Sequence, residues 1–208
     1  MKETRQRSLW KIDEFYNQKK KEIKRRLREF QNIKDEDVFY EMCFCLLTPG
    51  SNARRCDAKV KILLENNFLH TEFMPRQHIK DIRFYNNKTE NLLLAKKNYN
   101  IIKKRLASVN DNYELREWLV KNIRGYGYKE ASHFLRNIGR GENIAILDRH
   151  ILKNLAELGV IDEVPGHISK KSYLDIEKKM LAYAKKIGIK AEELDLLLWS
   201  KETGEVFK

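Results

Sequence analysis

Apolar residues recur at the three- and four-residue steps of amphipathic helices along almost the whole chain, and no two-residue alternation persists. A first stretch covers roughly residues 5–30, with Leu9, Ile12, Tyr16, Ile23, Leu27 and Phe30 at apolar positions and a dense Lys/Arg face. Residues 37–47 predict a buried helix, stopped by Thr48-Pro49-Gly50-Ser51-Asn52 because proline and glycine punctuate there. Val60, Leu63 and Leu64 share a face of the next helix. Leu92, Tyr99, Ile102 and Leu106 mark another over 89–107. Leu115, Trp118, Leu119 and Ile123 define a shorter one, broken by Gly125-Tyr126-Gly127. Ala131, Phe134, Leu135 and Ile138 form a stripe that ends at Gly139 and Gly141. Ile144-Ala145-Ile146-Leu147 is too short and too apolar to be exposed, so it is expected to enter the core and deliver Asp148. Leu152, Leu155 and Leu158, closed by Gly159, mark the next helix. Tyr173, Ile176, Met180, Tyr183 and Ile187 mark another, and a last helix runs from Ala191 to about Trp199. The expected fold class is all-α.

Composition narrows the picture. The 208 residues are 42% apolar with only 3 prolines and 9 glycines, so a real core forms, in one compact unit or two small subdomains, with little linker. Lysine and arginine outnumber the acids by a formal +12. That excess suits a polyanion such as nucleic acid, although a generally basic protein from a hot source has a similar composition. No run of roughly 18 apolar residues is present, so no membrane span is expected. The first ten residues lack an apolar signal core, so the expected location is intracellular, in the cytoplasm. Cys43, Cys45 and Cys56 are odd in number and lie in apolar helical sequence, which predicts free buried thiols. No Cys-x-x-Cys pair occurs and no cysteine follows Cys56, which excludes a zinc ribbon or a four-cysteine iron–sulfur site.

The segment from Trp118 to Ala131 carries the most information. Two helices meet at Gly125-Tyr126-Gly127. Glycine permits positive φ and close backbone approach there. The second helix opens with N–H groups and the positive end of its dipole, which suit a phosphate without reading sequence. An ordinary helix–glycine–helix corner has the same pattern. Lys129 falls in the first turn of that helix. The macrodipole disfavours a cation there, which favours a neutral nucleophilic amine; a solvated surface lysine is the plain alternative. Asp148 precedes the helix of Leu152 and Leu155 and is suited to cap it. Such a carboxylate also suits proton acceptance or stabilisation of positive charge. His150 orders the start of that helix or touches phosphate.

Gly125-Tyr126-Gly127-Tyr128-Lys129 with Ala131, followed by Ile146-Leu147-Asp148-Arg149-His150, resembles the helix-hairpin-helix DNA glycosylase superfamily. The chain's small size, Leu46 to Arg54, and the ending Trp199 to Lys208 are similar to the compact archaeal-type 8-oxoguanine DNA glycosylase/lyases, over essentially the whole length. The resemblance implies two helical subdomains with an active-site cleft between them. One is a central subdomain at 35–139 with the helix-hairpin-helix at about 113–139; the other comprises 1–34 with 140–208. It implies base-excision repair by a bifunctional enzyme. A damaged base is flipped out and excised, Lys129 forms a Schiff base with Asp148 as its partner, and β-elimination cuts the strand. The implied partner is double-stranded DNA containing a damaged base, bound by a monomer away from any membrane.

Further site residues follow from the same likeness. Lys208 lies near the extruded base, with Trp199, Phe207, Phe84 and Tyr85 as candidate stacking rings; each aromatic is also a candidate core residue, and Lys208 a candidate frayed end. Gly125, Tyr126 and Gly127 hold the DNA backbone. Ser51 or Asn52 wedges into the gap left by the base and Arg54 reaches the orphaned partner, whereas the plain reading of this loop is a turn in which Ser51 or Asn52 caps a helix. No cofactor or catalytic metal is implied; a structural monovalent cation on main-chain carbonyls of the hairpin is. Two rivals share these features: a non-catalytic helix-hairpin-helix DNA-binding module, and a glycosylase for other oxidised or alkylated bases.

Overall fold

The computed structural model describes the backbone of residues 2–208 and the side chains of residues 12–208, so the expectation for Leu9 lies outside the described residues. Among the described residues every regular element is helical: α1 (Lys2–Gln31), α2 (Val38–Leu47), α3 (Ala53–Glu65), a 3-10 turn (Pro75–Ile79), α4 (Tyr85–Ser108), α5 (Asn112–Asn122), α6 (Tyr128–Asn137), α7 (Arg149–Glu157), α8 (Lys170–Ile187) and α9 (Ala191–Thr203). Two compact units result, Ile33–Ile138 and Met1–Asn32 with Gly139–Lys208. None of these helices is long and apolar enough to cross a membrane.

The unit 33–138 is built around α2, which is buried on nearly every side from Phe39 to Leu47 and packs against α3, α4 and α6. A helix this apolar has no solvent face to offer, so its neighbours surround it. Cys43, Cys45 and Cys56 are free and buried, as expected of small apolar side chains in this core. Two helices start with side-chain caps: Asn52 Oδ1 accepts the Arg55 N–H at 3.0 Å, and Asp111 Oδ1 accepts the Glu114 N–H at 2.7 Å.

Several boundaries differ from the pattern-based expectation. α4 begins at Tyr85 rather than near Thr89, because the chain turns into it through Phe84 in the left-handed region and because Lys88 is buried in its first turns. Leu64 is exposed rather than sharing the buried face of Val60 and Leu63. Pro75–Ile79 forms a 3-10 turn that no apolar period announced. The last helix extends to Thr203, where Gly204 in the left-handed region ends it.

In the other unit, α9 packs on α1, α7 and α8. Ile12, Tyr16, Ile23 and Phe30 form the buried stripe of α1. The apolar run Ile144–Leu147 is irregular and buried, entering the core as expected, and cannot borrow a sheet for its polar backbone. α8 supplies the missing partners. Buried Glu177 accepts the Ala145 N–H at 2.7 Å; the Tyr173 hydroxyl donates to the Ala145 carbonyl at 2.7 Å and accepts the Leu147 N–H at 3.3 Å. These bonds fix the chain just before Asp148. Tyr173→Phe keeps the ring and strands both main-chain groups, so we expect a loss of about 1–3 kcal/mol in urea unfolding. An unchanged midpoint would show that the hydroxyl does not hold this segment.

Candidate active site

The hairpin is made by α5 and α6. Ile123 closes α5, its carbonyl accepts the Tyr126 N–H at 3.1 Å, and α6 opens at Tyr128. Gly125 turns the chain at φ +94°. A Cβ there would stand 2.3 Å from Asn91 Nδ2 and 3.2 Å from Leu46 Cδ2, so glycine is required for both conformation and space. Gly127, at φ −102°, has ordinary backbone. Its N–H donates to Glu130 Oε2 at 3.2 Å. Glu130 thus caps α6 from its third position, and one N–H that the sequence reading left for phosphate is engaged internally. The Tyr126 side chain is buried. Its hydroxyl donates to the Met42 carbonyl at 3.2 Å and its ring lies 6.0 Å from that of Phe134, so what Tyr126 offers a ligand is main chain.

Side chains lock α5 to α6. The Arg116 guanidinium, 1% exposed, donates to Ser132 Oγ at 3.1 Å and lies 5.4 Å from the ring centroids of Tyr113 and Tyr128. The Tyr128 hydroxyl donates to Glu117 Oε1 at 2.6 Å. Asn137 Nδ2 donates to Glu41 Oε2 at 2.9 Å, tying the far end of α6 to α2. Lys129, next to Tyr128 in the first turn, is therefore carried on a fixed backbone. Its side chain is 22% exposed, and its Nζ lies 3.8 Å from Glu130 Oε1. An amine with that much exposure is shielded yet reachable.

The loop after α2 is held by a residue the sequence reading did not single out. Lys88, 4% exposed, donates from Nζ to the Leu47 carbonyl at 2.6 Å, the Pro49 carbonyl at 2.8 Å and Ser51 Oγ at 3.1 Å. Burial lowers its pKa to about 8, with the cations Arg83 and Lys129 acting the same way and Cys56 opposing. Ser51 and Asn52 thus have structural partners in the free protein, Asn52 as the cap of α3, and Arg54 is exposed in the first turn of α3. Phe84 is 59% exposed at φ +59°, with the Arg83 guanidinium 4.7 Å from its ring centroid. Tyr85 is half-buried as the first residue of α4.

In the other unit, Asp148 caps α7. Its Oδ1 accepts the Ile151 N–H at 2.8 Å, and Oδ2 has no protein partner among the described residues. The cap fixes the carboxylate and leaves one oxygen for a ligand. Gly204 turns the tail back, so that Phe207, 3% exposed, packs against half-buried Trp199 with ring centroids 6.4 Å apart. Lys208 is half-buried. Between α7 and α9, Lys201 donates to Asn154 Oδ1 at 2.7 Å and Glu157 Oε2 at 2.6 Å, while Glu202 accepts from Lys153 at 3.0 Å and from Asn154 at 3.2 Å. His150 Nδ1 lies 3.9 Å from Glu202 Oε2, at the edge of this lattice.

The family model described as 8-oxoguanine DNA glycosylase matches residues 7–189. The chain belongs to that family. A protein of Fusobacterium nucleatum subsp. nucleatum named 8-oxoguanine DNA glycosylase/AP lyase is 42% identical over 208 residues, covering 95% of this chain and 96% of its own. One of the same name from Methanocaldococcus jannaschii is 38% identical over 208 residues, covering 95% and 98%. The crystal structure of the M. jannaschii 8-oxoguanine glycosylase/lyase in complex with a 15mer DNA containing 8-oxoguanine superposes with a TM-score of 0.87 at 38% identity, over 96% of this chain and 99% of that one. The 8-oxoguanine DNA glycosylase of Thermotoga maritima superposes equally well, 0.87, at 29% identity, over 98% and 100%. Among the described residues the fold class is all-α, as expected from the apolar period.

Glu130 had a sequence signal, a glutamate at the third helical position. Lys88, Arg116 and Glu177 had none, because one buried cation or carboxylate looks like any other charge in the chain. The two hairpin glycines are predicted to separate by stability. Gly125→Ala should cost about 2–4 kcal/mol, from the left-handed backbone and the clash with Asn91. Gly127→Ala, displacing only Glu130, should cost under about 1 kcal/mol. Chemical denaturation of both variants checks this; equal losses would refute the assignment.

Proposed function

We propose that this chain excises 8-oxoguanine from double-stranded DNA and then cuts the strand at the resulting abasic site, with the Lys129 amine as nucleophile. The observation that carries the proposal is a shielded lysine in the first turn of the hairpin helix, on a chain that shares nearly its whole length with proteins named 8-oxoguanine DNA glycosylase/AP lyase.

The chemistry runs as follows. Excess positive charge draws in the duplex, and the hairpin main chain positions phosphate without reading sequence. The lesion nucleotide leaves the stack and its base is read in a pocket. The Lys129 nitrogen lone pair bonds to C1′ of the deoxyribose as the C1′–N9 bond breaks, and the electron pair of that bond leaves with the base together with a proton. The sugar ring opens to a Schiff base on Nζ. Loss of a C2′ proton then expels the 3′ phosphate by β-elimination, and water releases the sugar from the lysine. In this scheme Asp148 stabilises positive charge at C1′ or takes the proton that Lys129 gives up. Its cap bond to Ile151 supports that role by fixing one oxygen and leaving the other. No step needs a cofactor. A monovalent cation on main-chain oxygens of the 123–127 turn would be structural, and those oxygens are of the hard type such an ion takes.

Recognition of the base rests on aromatic faces. Phe84 is the candidate that the free protein presents to solvent, and holding a non-glycine residue in the left-handed region costs about 1–2 kcal/mol, which suits a residue kept for function. Trp199 is the second, backed by Phe207, with Lys208 at the chain end supplying polar groups for the guanine edge; Tyr85 is a lesser candidate. Ser51, Asn52 and Arg54 serve the gap and the orphaned base, which requires Asn52 to leave its cap or act from it. Three buried free thiols and a DNA substrate fit an intracellular setting.

Duplexes each carrying one lesion, incubated with and without borohydride, test the activity. Wild type should release 8-oxoguanine in preference to oxidised pyrimidines or alkylated purines, and borohydride should trap a covalent complex. Lys129→Gln should lose trapping and at least about 10³-fold in strand cutting while binding DNA within a few-fold. Full activity in that variant refutes the lysine role, and preference for another lesion refutes the substrate. Deleting Phe207 and Lys208 should impair 8-oxoguanine excision by about tenfold or more with nonspecific binding retained; unchanged single-turnover kinetics would remove the tail from recognition.

A further inference from the structure

We propose that Lys88 is a positioning residue for base extrusion, its buried ammonium holding the 48–52 loop in the shape in which Ser51, Asn52 and Arg54 serve the duplex gap. This rests on the reading of that loop given above.

The geometry is that of a three-pronged clamp. The acceptors are the last carbonyl of α2, the Pro49 carbonyl in the middle of the loop and Ser51 Oγ near its end, so one ammonium spans the turn. Each N–H has one acceptor. The Leu47 carbonyl, an orphan of the helix C-terminus, takes the Cys56 thiol at 3.2 Å as well, which ties α3 to the same point. No carboxylate lies within ion-pair distance of Lys88 Nζ among the described residues. Burying a cation without a carboxylate is costly. A plain turn does not require it, since prolines, glycines and short polar side chains make turns on their own. A loop that must keep its shape while pushed against stacked bases does.

Protonation decides how strongly the prongs hold. The ammonium has three N–H donors and the neutral amine two, against three acceptors. Burial sets the change near pH 8. The facing groups are Cys56 from α3, Arg83 before α4, and Lys129 and Glu130 from α6, while α2 presents the Leu47 carbonyl. Cys56 is itself pushed up to about 11 by burial and so remains a thiol there. As pH rises through about 8, the amine keeps two donors for the carbonyls and takes the Ser51 hydroxyl on its lone pair, so the clamp loses the charge assistance of all three bonds.

The test uses the full chain in a Lys129→Gln background, so that DNA stays intact and the nucleophile does not titrate. Hydrogen exchange over residues 48–55 is read without DNA. Fluorescence of 2-aminopurine beside an 8-oxoguanine is read with saturating protein between about pH 6.5 and 9. Lys88→Met, which removes all three bonds, should speed exchange of this segment by about tenfold or more and should leave a weak fluorescence response that is flat with pH. The parent should respond strongly and lose response as Lys88 titrates, at a pH above about 8 because the neighbouring Lys129 cation is gone, whereas Lys88→Arg, which stays charged, should lose the pH dependence and keep part of the response. The pH series on the parent needs no change at position 88, so poor folding of Lys88→Met does not close the test. Protection factors, corrected for intrinsic exchange, that are insensitive to both substitution and pH overturn the clamp. Faster exchange with an unaltered fluorescence response overturns the loop's role in the duplex, and the positioning role with it.

Discussion

At Gly125 the chain passes between a side chain of α4 and one of α2 with no room for a Cβ. Asn91 and Leu46 stand where one would be, and the backbone is left-handed there. That close approach seats the hairpin on the core of its unit. Tyr126 then reaches the Met42 carbonyl, and Arg116, Glu117 and Glu41 fasten α6 along its length. The first turn of α6 has no freedom left to wander, and Lys129 inherits its place from it. A nucleophile must hold its reacting atom within a fraction of an ångström, and rigid support is what makes that possible.

Both units solve the same problem in the same way. Helices arise from the apolar period, but the segments that place the candidate groups are non-helical backbone: the hairpin turn before Lys129, the loop after α2, and the irregular run before Asp148. Irregular backbone that is buried needs partners for its N–H and C=O groups. Here those partners are long polar side chains reaching in from helices. Glu130 serves the hairpin glycine, Lys88 serves the loop, and Tyr173 with Glu177 serves the run 144–147. Buried polar groups of this kind add little net stability but specify one arrangement.

This division explains what was legible in the sequence. The helix stripes were, because burial of one face leaves a period: Ile12, Tyr16 and Ile23 in α1, or Ala131, Phe134 and Leu135 in α6, are buried as read. Asp148 as a cap was legible, since an aspartate before an amphipathic run has that use. The hairpin and aspartate motifs led to the family. Apart from Glu130, the clamps were not legible. Lys88 is one of 42 lysines and arginines, and nothing local separates a buried one from the rest. The early start of α4 was missed for a related reason: Phe84 takes a conformation that its residue type disfavours, and no pattern rule anticipates a strained residue.

The proposed chemistry requires that one particular amine bond to the deoxyribose. Lys129 competes for that role with Lys88, whose burial makes it a readily neutralised amine. Mass-spectrometric mapping of the peptide that carries the borohydride-reduced sugar adduct decides between them. The proposed chemistry puts the adduct on Lys129 alone; an adduct on Lys88 or on the chain's amino terminus, with Lys129 unmodified, would contradict it.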